Sequence, residues 1–405
     1  MKPVPARTVL VPLLEPQGAS AAPDGIALLR LGFRPFYLLA ALFAALSVPL
    51  WIAQYAGLLP APAPYPAMLW HAHEMSYGFV LAVIVGFLLT AARVWTGLPT
   101  PTGGHLAGLA ALWVAARIFN YFGPLPAAML ADAAFLILPM IALGLVLVKA
   151  RSDRNLFVLA VLTAFLIANT LFHLAVAARV TFAPIIAVHF FVFTVIMLIT
   201  VIGGRVIPSF TANALHGIWQ FRNRWLDALS LAGTGVALLL VLVGAPVAPT
   251  VAACMAAAAL QALRLAGWNP WAARRQALLW ILHVSYAWIP LGLVLLAGGV
   301  AGELPMSAGI HALTLGAIGG LIIGMITRTA LGHTARPLKA GRIEVAAYLL
   351  VQAAALTRLV PMLVPELPYL PWATAAASAW SLAFALYFLK YAPMLAAPRL
   401  DGRDG

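Results

Sequence analysis

The sequence predicts an all-α, polytopic membrane protein of about twelve transmembrane helices, on three observations. Of its 405 residues, 64% are hydrophobic and 9% charged, whereas a soluble domain carries roughly a quarter charged residues. Apolar stretches of spanning length, roughly 20 residues, recur along the whole chain. The basic residues fall almost entirely on one side of the resulting serpentine, which is the asymmetry that sets orientation during insertion. No soluble fold of this size could bury so much apolar surface.

Taken in order, the spans read near 35–56, 68–92, 104–120, 127–149, 155–178, 184–206, 226–244, 247–267, 274–298, 306–328, 342–364 and 370–392. Residues 1–30 read as a cytoplasmic arm. Lys2 and Arg7 precede only a proline-broken apolar run, and Asp24 follows, so there is no clean signal peptide. Residues 31–395 then form one transmembrane domain and 396–405 a cytoplasmic tail. The connections are short and several carry proline, as at Pro60 to Pro66, Pro99 to Thr102, Pro246 to Pro249 and Pro365 to Pro371. Trp51, Trp70, Trp95, Trp268, Trp271 and Trp372 fall at span ends, where an amphipathic ring suits the lipid–water boundary.

With the N-terminus inside, every Lys and Arg except Arg117, Arg179 and Arg358 lies at a cytoplasmic loop or helix end, and both termini are cytoplasmic. The net charge of +13 therefore reports topology and contact with anionic lipid rather than nucleic-acid binding. The single Cys254 excludes an intramolecular disulfide and any multi-cysteine metal site. Hydrolase and nucleotide-driven chemistry lack their signatures. There is no Gly-rich loop ending in Lys-Ser/Thr and no Gly-x-Ser-x-Gly elbow, and His73-Glu74 reaches Tyr77 where a zinc-protease helix needs its second histidine.

A weak internal pattern links spans 2 and 10. His73 is followed by Gly78, Gly86 and Arg93, and His311 by Gly316, Gly324 and Arg328; span 6 follows more loosely, with His189, Gly203, Gly204 and Arg205. Every fourth helix is involved, which suggests three four-helix units. Placed by the rise of 1.5 Å per residue, His71, His73, His173, His189 and His311 come from four helices and share one depth near the outer face. Ionisable groups in hydrocarbon are costly and point to function, and imidazole is the usual ligand of haem iron and copper.

His71 and His73 project about 200° apart on a regular helix, so they serve two centres or divide into ligand and supporting residue. The shared glycine spacing favours His73 paired with His311 across one iron. Glu74 is the most deeply placed carboxylate, with Asp132 and Glu366 at helix ends and the other acids in loops or tails. It is the candidate catalytic proton donor; it could also orient a ligand histidine or pair with Arg117 or Arg179. At the inner face Arg205, His283, Arg328, His333 and Arg336 form a second polar set, suited to a lipid head group or anion.

Phe33-Arg34-Pro35-Phe36, the run Trp70 to Met75 with Gly78-Phe79 and Gly86 to Thr90, Gly203 to Pro208, and the stretch from His311 through Arg328 to Leu338 resemble the NnrS family over residues 28 to 395. That resemblance implies a bacterial inner-membrane protein containing haem, associated with copper, and linked to nitric oxide and nitrosative stress. A weaker likeness joins the architecture to the catalytic subunits of haem-copper oxidases and nitric oxide reductases. The paired histidine on span 2 instead of span 10, Phe193 on span 6 and the lack of His-His on span 7 depart from that pattern. The expected function is handling of nitric oxide at a haem of b type, including reduction of two NO to N2O with electrons from quinol or a redox partner. The alternatives are export of a metal or iron-nitrosyl species and a haem sensor without turnover.

Overall fold

A computed structural model describes residues 25–62 and 64–403. Among them are twelve long helices: α1 Phe33–Tyr55, α2 Ala67–Thr96, α3 Gly103–Phe122, α4 Leu125–Lys149, α5 Phe157–Val176, α6 Pro184–Ala214, α7 Arg224–Leu242, α8 Val247–Gly267, α9 Ala277–Val300, α10 Met306–His333, α11 Arg342–Leu363 and α12 Tyr369–Ala396. No strand occurs among the described residues. The N-terminal arm lies outside them apart from residues 25–30, where Ala27–Leu29 form a single 3-10 turn.

Local signals end the helices where the sequence changes. Gly97, with φ of 67°, closes α2 in the left-handed conformation open to glycine. Asn223 caps α7 by accepting from the amides of Trp225 and Leu226. Proline stands inside six helices, as at Pro49 and Pro208, which membrane helices tolerate because neighbours resatisfy the freed carbonyls.

Sequential helices pack against each other from α3 round to α12, and α12 returns to α1. The most enclosed spans are α2 and α10, with 83% and 72% of their apolar windows buried, so these two form the middle of the bundle with α6 against both. This explains why their faces carry glycine: close approach needs small residues.

Eleven of the twelve helices are long and apolar enough to cross a membrane, α3 being the exception. The closure of the ring bears on its case. Arg34, wholly buried at the start of α1, donates to the carbonyls of Leu395 and Ala397 at the end of α12, both at 2.8 Å. The first helix thus begins where the last one ends, an arrangement that fits an even number of crossings with α3 as the twelfth.

Two expectations are corrected. Trp51, Trp70 and Trp268 are each only 2% exposed and belong to the core, not to the lipid boundary; Trp271 is exposed. Two acids expected in loops or tails stand instead in the first turns of helices. Asp227 of α7 meets Arg264 at 2.6 Å and Glu344 of α11 meets Lys390 at 2.5 Å, each carboxylate tying two helices together.

Candidate functional site

The two histidines of α2 diverge because the helix is regular α from Ala67 to His73. At Glu74 the geometry changes to a π stretch over Glu74–Val80. α10 does the same at the matching place: His311 ends the regular segment and Ala312–Gly319 is π. Such stretches are rare and concentrate at functional sites. In both, glycine admits an aromatic ring from the preceding helix. A Cβ at Gly78 would lie 2.6 Å from Phe43 Cε1, and one at Gly316 would overlap the Trp288 indole. The Gly78 carbonyl accepts from Trp113 Nε1 at 3.0 Å.

One face of α2 carries a buried polar cluster. His73 Nδ1 is 2.9 Å from Glu74 Oε1, and Arg117 of α3 donates to the same oxygen at 2.6 Å. Arg117 also pairs with Asp132 of α4. Asp132 Oδ2 accepts from Asn120 Nδ2 at 2.8 Å and faces His173 Nε2 of α5 at 3.2 Å and His73 Nε2 at 3.4 Å. Asn169 Nδ2 lies 3.2 Å from His73 Nε2, and Tyr65, in the connection before α2, closes the outer end by bonding Asn120. Every one of these residues is under 9% exposed.

The opposite face opens on a cavity of about 360 Å³. Its walls include His71 of α2, His189 of α6, His311 of α10 and Arg358 of α11, with Trp51, Phe79 and Trp380 among the apolar lining. His71 stacks on Trp51 with ring centroids 4.1 Å apart. His311 Nδ1 donates to the Ser307 carbonyl at 2.7 Å, which fixes the tautomer and leaves Nε2 as the ligand atom. The Arg358 guanidinium lies over the rings of Trp51 and Tyr369, and its NH1 is buried without a hydrogen-bond partner.

The histidines predicted at one depth therefore divide. His71, His189 and His311 come together at the cavity; His73 and His173 come together in the polar cluster. The expected pairing of His73 with His311 does not occur, because α2 presents His73 to α3, α4 and α5 while His311 faces the cavity. Glu74 likewise does not line the cavity. The inner-face set does not converge: Arg205 is exposed, His283 Nε2 bonds the Thr211 hydroxyl at 2.9 Å, Arg328 lies over Phe210 and His333 packs on Phe33. Arg336 is half-buried after α10.

Sequence reasoning missed Asp132, Asn169, Asn120, Tyr65 and Arg358. A signal for one existed, since Arg117 and Asp132 stand symmetrically about the turn at Pro124–Leu125 and in an antiparallel hairpin must share one depth.

Fold and sites together define a multi-pass membrane protein with two histidine-bearing sites at one end of its bundle. The chain matches the family model described as NnrS protein over residues 27–399, and it belongs to that family. No similar curated protein is found.

Proposed function

We propose that this chain is a haem-binding protein of the bacterial inner membrane that handles nitric oxide in protection against nitrosative stress, with the haem seated in the cavity between α2, α6 and α10. The observation that carries this reading is the convergence of His71, His189 and His311 with Arg358 on one largely apolar cavity. The residues fit the group. His311 offers Nε2 with its other nitrogen already committed, His71 and His189 stand on facing helices, and Arg358 offers a buried cation with an unpartnered NH1 for a propionate. Trp51, Phe79 and Trp380 give flat apolar walls that exclude water.

Haem bound there supplies a metal that can be reduced and can bind NO. Attachment is non-covalent, because the only cysteine, Cys254, is buried in α8, and this supports a b-type haem over a covalently attached one. Reduction of two NO to N2O and water takes two electrons and two protons, with quinol or a redox partner as the electron source. Glu74 stands on the far face of α2, bonded to His73 and Arg117, as the candidate proton source.

An optical spectrum of the purified protein, with haem and metals counted, tests this reading. Stoichiometric haem in the wild type, lost in His311→Ala and diminished in His71→Ala or His189→Ala, is the expected result. Oxidation of the reduced haem on adding NO identifies turnover, and a stable nitrosyl identifies sensing. Absence of haem from protein made under haem-replete conditions sinks the proposal and leaves export of a metal or iron-nitrosyl species.

A further inference from the structure

The polar cluster plays no part in seating a group in the cavity, and it brings two imidazole nitrogens onto one carboxylate oxygen. Glu74 Oε1 accepts from Arg117 at 2.6 Å, so it is a carboxylate oxygen, and His73 Nδ1 at 2.9 Å must carry the proton between them. In the neutral ring, Nε2 is then a lone pair, approached by Asn169 Nδ2 at 3.2 Å. It faces Asp132 Oδ2 at 3.4 Å, an oxygen of a carboxylate already paired with Arg117 and accepting from Asn120. Two electron-rich atoms are thus aimed at each other. His173 Nε2 converges on the same oxygen at 3.2 Å.

The charges of the cluster do not close. With neutral imidazoles, Glu74 and Asp132 stand against Arg117 alone, leaving one excess negative charge in a fully buried place, where an unpaired charge is strongly unfavourable. A divalent cation among His73 Nε2, His173 Nε2 and Asp132 Oδ2, carrying one hydroxide in an open position, brings the two facing atoms onto one ion and balances the charge. The spacing suits it. Bonds of about 2.0–2.1 Å in a tetrahedral arrangement put ligand atoms about 3.3–3.4 Å apart, and the two contacts to Asp132 Oδ2 are 3.2 and 3.4 Å, with all three donor residues' ligand atoms within 4.8 Å of one another.

We propose that His73, His173 and Asp132 bind a divalent first-row transition-metal ion, in a centre separate from the cavity. Two imidazoles and one carboxylate suit zinc, iron(II) or manganese and leave coordination positions open. Glu74 holds the ring of His73 in the ligating tautomer, and Arg117 bridges Glu74 and Asp132. Asn169 Oδ1 and the Tyr77 hydroxyl are buried beside His73 without hydrogen-bond partners. The inference does not depend on haem.

The test uses the full chain in detergent, stripped with chelator and titrated with Co2+, with haem counted separately on the same samples. One equivalent of Co2+ should bind with a visible d–d absorption that Zn2+ displaces. His173→Gln and Asp132→Asn should each abolish that absorption, and Glu74→Gln should weaken binding about 10- to 100-fold. His71→Ala and His311→Ala should leave it intact while haem falls. Size-exclusion profiles verify that each variant is folded; should both ligand variants fail, the wild-type titration still decides. Absence of a Co2+ signal in the wild type would mean that an imidazolium balances the cluster and would overturn the proposal. So would folded His173→Gln and Asp132→Asn variants that bind Co2+ as tightly as the wild type.

Discussion

Arg117 shows how one side chain can hold two acids in an apolar bundle. Its guanidinium reaches Glu74 from α2 and Asp132 from α4, and the ring of Trp113 lies 5.8 Å from it on the same helix. Removing one partner of a buried ion pair costs about 3–5 kcal/mol because the other charge is left uncompensated. Arg117→Met should therefore destabilise by at least that much, since it strands two carboxylates. Glu74→Gln should cost markedly less, because Arg117 keeps Asp132. Thermal unfolding of both variants in detergent checks this order, and equal losses would show that the Asp132 pair contributes nothing of its own. The same residues mark what was legible. Glu74 and His173 could be found by depth along a helix, but Asp132 could not while it was judged by its closeness to a helix end. Its partners come from α2, α3 and α5, and such convergence is a property of packing.

At the scale of elements, α2 and α10 share more than a histidine–glycine spacing. Each changes from α to π directly after its histidine, and each admits an aromatic ring at the glycine five residues on. The spacing was visible in the sequence; the π geometry behind it was not, because no residue type encodes it. α6, the third member of the expected repeat, is α throughout, which agrees with its looser pattern. A methyl group in a packed core without room costs about 1–3 kcal/mol. Gly78→Ala and Gly316→Ala should each destabilise by that order, through Phe43 and Trp288. Gly144→Ala, whose Cβ would meet Leu159 Cδ1 at an ordinary 3.7 Å, should instead be neutral or stabilise by up to about 1 kcal/mol through helix propensity. Melting temperatures that fall equally for all three would refute the packing explanation.

For the whole molecule, the sequence carries the number and order of the helices because apolar length is a local property. It does not carry the closure of the ring, which depends on one long-range contact. That contact bears on α3, where Gly103, Gly104, His105, Arg117 and Asn120 lower the apolar character. The buried ones spend their polarity on the cluster: Asn120 is wholly buried and Arg117 7% exposed. A helix can thus fall short of a hydropathy threshold because it serves a site and still cross. If Arg34 joins the start of α1 to the end of α12 in the membrane, the two ends lie on one side and α3 is a crossing. Reporters fused after Pro101 and after Gly123 should then report opposite sides. Fusions after Arg154, Arg224 and Lys339 should report the cytoplasm, and those after Leu59 and Gly302 the other face. Should Pro101 and Gly123 report the same side, α3 does not cross, Arg117 cannot share a depth with Asp132, and the cluster would have to be reassembled from other residues.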